Sequence, residues 1–168
     1  MRLEDLFESK SAPGTYVAAK LDTNSRKLIS DFIRVNKIPN PVLISKLHCT
    51  LIHSKVGLKN FECAGKYKEP IKANVSRLEV WTPDGKPPVL VLKLQSDGLS
   101  ERHHEIMKKH PEAVYKFRSY RTHVTLSYDA ENIVAAELPD FKSKLVFDRE
   151  YTTKLENKNY AKLNTKKT

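Results

Sequence analysis

Leu47-His48-Cys49-Thr50-Leu51 sets a histidine and a threonine two residues apart inside an apolar run, and Thr122-His123-Val124-Thr125-Leu126 does so again near the other end of the chain. Alternate residues of a strand share a face, so each copy predicts an imidazole beside a hydroxyl. Cys49 and Val124 would point the other way, into whatever backs the sheet. Two such pairs are a minimal kit for acid–base chemistry on a phosphate ester, provided that they meet.

The surroundings of the two copies repeat as well. Ahead of the first, Tyr16-Val17-Ala18-Ala19-Lys20-Leu21 reads as a strand. An amphipathic helix follows, capped by Asp22, Thr23 or Asn24, with Leu28, Phe32 and Val35 at i, i+4, i+7 and Ile29 and Ile33 widening the stripe. Pro39-Asn40-Pro41 ends it. Ahead of the second copy, 89–95 reads as a strand and 99–110 as a helix stopped at Pro111. Lys20 and Lys93 hold corresponding places, each opposite its strand's leucine-rich face. Between the halves, a lysine-rich loop over 55–72 precedes a hairpin of 74–81 with 89–95 that turns near Asp84-Gly85. A last strand is read over 144–151.

This order predicts an α+β fold: two pseudo-symmetric lobes of antiparallel strands, helices packed outside and a central cleft. It is expected as a single domain over residues 1–168, with 1–13 a short lead-in and 157–168 a frayed tail. Alternation then maps the faces. Val17, Leu21, Leu78, Val80, Leu90, Leu92 and Leu94 should meet the helices. Tyr16, Lys20, His48, Thr50, Arg77, Glu79, Trp81, Lys93, His123, Thr125 and Ser127 should line the opposite face, the floor of the cleft. His53 is expected on the core side, and His103, His104 and His110 on a solvated helix surface.

The balance of 30 Lys and Arg against 20 Asp and Glu leaves a formal net charge of +10, which favours an anionic partner. The two cysteines have no paired spacing, which argues against a disulfide framework and suits a reducing cytoplasm. No apolar run reaches membrane-spanning length and the N-terminus lacks a signal core. A soluble cytoplasmic protein with no membrane contact and no obligate protein partner is the expectation.

If both histidines flank one phosphodiester, their ordinary pKa of about 6.5 lets one be basic while the other is protonated near neutrality. The base takes a proton from a ribose 2′-OH or a water, and the acid protonates the departing oxygen from the opposite side of phosphorus. Thr50 and Thr125 would donate to the non-bridging oxygens, and Lys20 and Lys93 would draw in the anion. This scheme calls for no metal and no cofactor.

The pattern resembles the two-histidine (2H) phosphoesterase superfamily, whose signature is a pair of His-x-Thr/Ser motifs in apolar strands of two symmetric lobes. His48, Thr50, His123 and Thr125 match that signature directly, over nearly the whole chain. Gly14-Thr15-Tyr16-Val17, Ile38-Pro39-Asn40-Pro41 and Lys46-Leu47-His48-Cys49-Thr50 are similar to the phage anti-CBASS branch. That resemblance implies hydrolysis of the cyclic di- and trinucleotides that serve bacteria as antiphage signals. It also implies aromatic residues that hold bases, for which Tyr16 and Trp81 are the candidates, and a late carboxylate, for which Glu150 is the candidate. Two alternatives stay open at this point. The same four residues suit a phosphodiesterase opening 2′,3′-cyclic phosphate ends of RNA, and the charge alone suits a basic RNA-binding module without turnover.

Overall fold

The two His-x-Thr runs form β2 (His48–Ser54) and β5 (His123–Ser127). In the computed structural model, which describes residues 13–155, they are the two outer strands of one six-stranded antiparallel sheet. The expected tail and all but Pro13 of the expected lead-in lie outside the described residues. The other strands are β1 (Gly14–Leu21), β3 (Lys66–Trp81), β4 (Val89–Gln95) and β6 (Leu145–Leu155), in the order β2-β1-β6-β3-β4-β5. Among the described residues two α-helices, α1 (Thr23–Val35) and α2 (Asp97–Lys109), complete the α+β architecture. From the middle of the sheet outward, β6-β1-β2 is answered by β3-β4-β5, so β1-α1-β2 and β4-α2-β5 are counterparts.

Capping explains where the helices begin. The Asp22 carboxylate accepts from the Ser25 N–H at 2.7 Å, and the Ser96 hydroxyl accepts from the Leu99 N–H at 3.3 Å. The buried side of α1 centres on Ser25, Ile29 and Ile33, while Val35, expected in its stripe, is 66% exposed. Ser25 belongs inside because its hydroxyl accepts from the Val146 N–H at 2.8 Å. Ile29, Ile33, Leu99 and Ile106 then pack with Val17, Leu21, Leu90, Leu92, Leu126 and Phe147 into one core on the helix side of the sheet.

Two expectations about strands needed correction. The lysine-rich 55–72 region is not all loop: β3 starts at Lys66, and its first half pairs with β6 through Ile71↔Phe147 and Ala73↔Leu145. Charged side chains on that half hide the strand pattern because they face solvent. The second correction concerns alternation. β1 pairs Ala18 with Thr50 but Val17 with Ile52, and β4 pairs Val91 with Thr125 but Leu90 with Ser127. Leu51 and Leu126 are therefore bulged residues at the same place in each lobe, one step after the threonine. Parity flips beyond each bulge. His53 comes to lie across from Tyr16 on the cleft side, and Ser127 turns to the core side, where its hydroxyl donates to Pro39 O at 2.7 Å.

Glu150 is also corrected. Its side chain does not face the cleft but is fully buried on the helix side, paired with Arg102 of α2 at 2.8 Å. The Tyr67 hydroxyl donates to it at 2.9 Å and the Ala64 N–H at 3.1 Å. Burial alone would push this carboxyl up; Arg102 and these donors outweigh it and hold it below the usual carboxylate range. The alternation of β6 gives the cleft to Tyr151 instead. Arg102→Met leaves this charge buried without its partner, and urea denaturation should show a loss of about 3–5 kcal/mol. Arg102→Met combined with Glu150→Leu should recover much of it.

Candidate active site

β2 and β5 stand at opposite ends of the strand order, yet the sheet curls until they touch. Val42, from the loop after α1, donates its N–H to the bulge carbonyl of Leu126 at 2.8 Å, and Pro41 bridges Ser127. The two histidines thus face one cleft, close enough for the charge of His48 to depress the proton affinity of His123.

Both rings are anchored alike. His48 Nδ1–H donates to the carbonyl of Lys46, and His123 Nδ1–H to that of Arg121, each at 2.7 Å and each two residues back along the chain. A carbonyl only accepts, so Nδ1 carries the hydrogen and Nε2 is the nitrogen left to exchange a proton. Burial lowers the pKa of both imidazoles; the Lys46 and Arg121 carbonyls partly offset this, and the charges of Lys20 on His48 and of Arg121 and His48 on His123 lower them further.

The register places Lys20 directly across from His48 and Lys93 directly across from His123. Ala18 and Val91, both fully buried, sit across from Thr50 and Thr125. Up to that level the lobes match. They differ at the next position. Tyr16 places its hydroxyl 2.7 Å from both His48 Nε2 and Thr50 Oγ1, linking the members of the first pair, whereas its counterpart in β4 is Val89. Burial raises the Tyr16 pKa despite the bond to Thr50, so the phenol keeps its proton. On the second side Trp81 lies 4.5 Å from the His123 ring, and the Arg121 guanidinium covers Trp81 at 4.1 Å. Trp81 Nε1–H donates to Glu79 at 2.7 Å, and Glu79 also takes Arg77 at 2.6 Å and Lys93 at 3.7 Å.

Of the residues expected at the site, the structure gathers Tyr16, Lys20, His48, Thr50, Trp81, Lys93, His123 and Thr125 around one cleft and leaves out Glu150. Sequence reasoning missed Arg121 and His53, and in the last strand alternation left Glu150 and Tyr151 as alternatives for the cleft face. A basic residue two before each histidine, Lys46 and Arg121, was the visible sign of the first. Tyr151 lies under Lys20, with the ammonium 5.2 Å from its ring. His103, expected on a solvated surface, is buried beneath β2. Cys49 faces the core as expected, and burial pushes its thiol up to about 11, which suits packing rather than nucleophilic attack.

The curled antiparallel sheet that carries the two His-x-Thr runs has counterparts of known structure. Solved structures share the fold: Escherichia coli LigT complexed with 3′-AMP aligns with a TM-score of 0.59 at 18% identity, covering 86% of this chain and 95% of that one. A phosphoesterase crystal structure aligns with a TM-score of 0.56 at 16% identity over 85% of this chain and 88% of that one. Residues 13–162 match the family described as Anti-CBASS protein Acb1, and the chain belongs to that family. Relatives bearing that name include those of Salmonella phage S16, 36% identical over 82% of this chain and 86% of the relative, and Yersinia phage phiR1-RT, 34% identical over 84% and 88%. That of Enterobacteria phage T4 is 34% identical over 82% and 86%.

The electrostatics fix the sign of a titration. A lowered pKa means that both imidazoles are neutral at pH 7 in the empty protein, and that an anion between them raises both. NMR should find His48 and His123 titrating below pH 6.5 without ligand and moving upward when inorganic phosphate is added. Either ring titrating above that value in the empty protein contradicts the account.

Proposed function

We propose that this chain acts as one two-lobed phosphodiesterase that cleaves 3′–5′ bonds of cyclic di- and trinucleotides through acid–base exchange between His48 and His123, countering a bacterial antiphage signal. What carries the reading is the matched pair of Nδ1-anchored imidazoles on strands that meet across one cleft. With Nδ1 held on a carbonyl, each ring has Nε2 as its exchangeable position. One takes a proton from the attacking 2′-OH or water while the other returns one to the leaving oxygen. Thr50 and Thr125 donate to the non-bridging oxygens as negative charge builds there, and Lys20 and Lys93, across from the histidines, hold the phosphate's charge. Tyr16 and Trp81, beside His48 and His123 respectively, are the surfaces for the two ends of the substrate. No step of the scheme uses a metal.

The name of the family supports the choice of a signalling nucleotide, and its phage relatives support action in the cytoplasm of an infected bacterium. Among the described residues no helix is long and apolar enough to cross a membrane.

His48→Ala and His123→Ala should each lower turnover roughly 10²–10⁴-fold. Activity should persist in EDTA. The deciding measurement is chromatographic separation of products from cyclic dinucleotides, cyclic trinucleotides and 2′,3′-cyclic nucleotides. Opening of 2′,3′-cyclic ends alone would assign the site to RNA ends. Salt-sensitive RNA affinity that survives both substitutions, with no turnover of any substrate, would make the protein a binding module.

A further inference from the structure

Beneath the cleft, on the helix side of β2, lies a buried polar pair that the proton exchange does not use. His103 of α2 is 5% exposed, and its ring stacks on Tyr120 at 4.0 Å between centroids and 6° between planes. Each ring reaches one carbonyl of β2. The Tyr120 hydroxyl donates to Thr50 O at 2.9 Å, and His103 Nδ1–H donates to Leu51 O at 2.7 Å. Thr50 carries a hydroxyl of the cleft, and Leu51 is the residue that the register with β1 skips. In the other direction, Tyr120 is followed by Arg121, whose carbonyl anchors His123, and by Thr122, whose carbonyl accepts from Leu94 at 2.9 Å. The stack therefore reaches β2 through two hydrogen bonds and His123 through three peptide bonds.

No ladder joins β2 to β5 directly, so strand pairing connects the two histidines only through the four strands between them. We propose that Tyr120, braced by His103, is a positioning residue that fixes the spacing of His48 and His123 by tying the β2 bulge to the segment entering β5. Its consequence for turnover rests on the two-histidine reading above; its structural half does not. Burial, then the neighbouring Cys49, raise the Tyr120 pKa, so the phenol stays a donor throughout the working range.

Tyr120→Phe keeps the stack and removes the donor. With a cyclic dinucleotide as substrate, kcat should fall about ten-fold or more while KM stays within about two-fold, the mark of misplaced groups rather than lost binding. NMR titration should show His48 and His123 responding to each other less than in the parent. Tyr115→Phe removes a hydroxyl from the same cluster, its ring 5.0 Å from His103, without deleting a bond to β2, and should leave both readouts unchanged. His103→Asn, whose amide keeps a donor toward Leu51 O, should retain more kcat than His103→Ala. A parental kcat and unchanged coupled titration in Tyr120→Phe overturn the proposal, as do equal losses in Tyr115→Phe, which would reduce the pair to packing. Should the parent turn over no cyclic nucleotide, the hydrolase reading fails, and the titrations of Tyr120→Phe still decide whether the tie exists.

Discussion

A carbonyl that leaves a strand's register must find a donor elsewhere, and this requirement shapes the cleft. Leu51 and Leu126 are displaced from their ladders at matching points in the two lobes. Leu51 O is met by the His103 imidazole and Leu126 O by the Val42 amide. One donor comes from the helix beneath and the other from the loop beyond α1, so each lobe's bulge recruits a different element. These attachments hold the bulges of the two strands that carry the imidazoles. Without satisfied carbonyls at the bulges the strands would tend to regular alternation, and the threonine side of each motif would lose its support.

The site is electrostatically tense in a specific sense. Two half-buried imidazoles share a cleft with Lys20, Lys93, Arg77 and Arg121, while Glu79 balances several of these charges on one side. Burial and the neighbouring cations favour neutral rings, and an anion between them would relieve the crowding of positive charge. On the proposed reading, ligand affinity and protonation of the site are thereby linked: the charge of a bound phosphodiester would make an acidic imidazole available near neutrality. The lobes share the anchoring carbonyls and the cross-strand lysines, and they differ in what borders Nε2. A phenol links His48 to Thr50, while an indole under a guanidinium flanks His123. Two chemically equal histidines become unequal through their neighbours alone.

Much of this was legible in the chain. Period-two alternation around His48 and His123, together with the repeated strand–helix–strand order, gave the pseudo-symmetric sheet, the cleft face and the placement of Lys20 and Lys93. What escaped has physical reasons. A bulge adds one residue without changing composition, so His53 and Ser127 fell on the wrong faces. Glu150 and Tyr151 are both polar enough for a cleft, and the groups that hold Glu150 on the other side, Arg102, Tyr67 and the Ala64 N–H, are all distant in sequence. The lysines and Glu69 of 66–72 masked the first half of β3, because a strand exposed there needs no apolar row. His103 looked like a surface residue since its partners, Leu51 O and the Tyr120 ring, come from a strand and a connecting segment far from it in sequence.

An open sheet ordinarily presents two raw margins, each a template for pairing with a neighbouring molecule. Here both margins turn toward each other, and the flanking segments seal them: Lys55 and Val114 are joined backbone to backbone, His53 O accepts from the Lys116 N–H, and Pro41 and Val42 lie along β5. The curvature that assembles the cleft also removes the chain's most obvious route to fibrillar self-association. Mutations that loosen this seam should be expected to endanger solubility together with chemistry, since a single crease protects both.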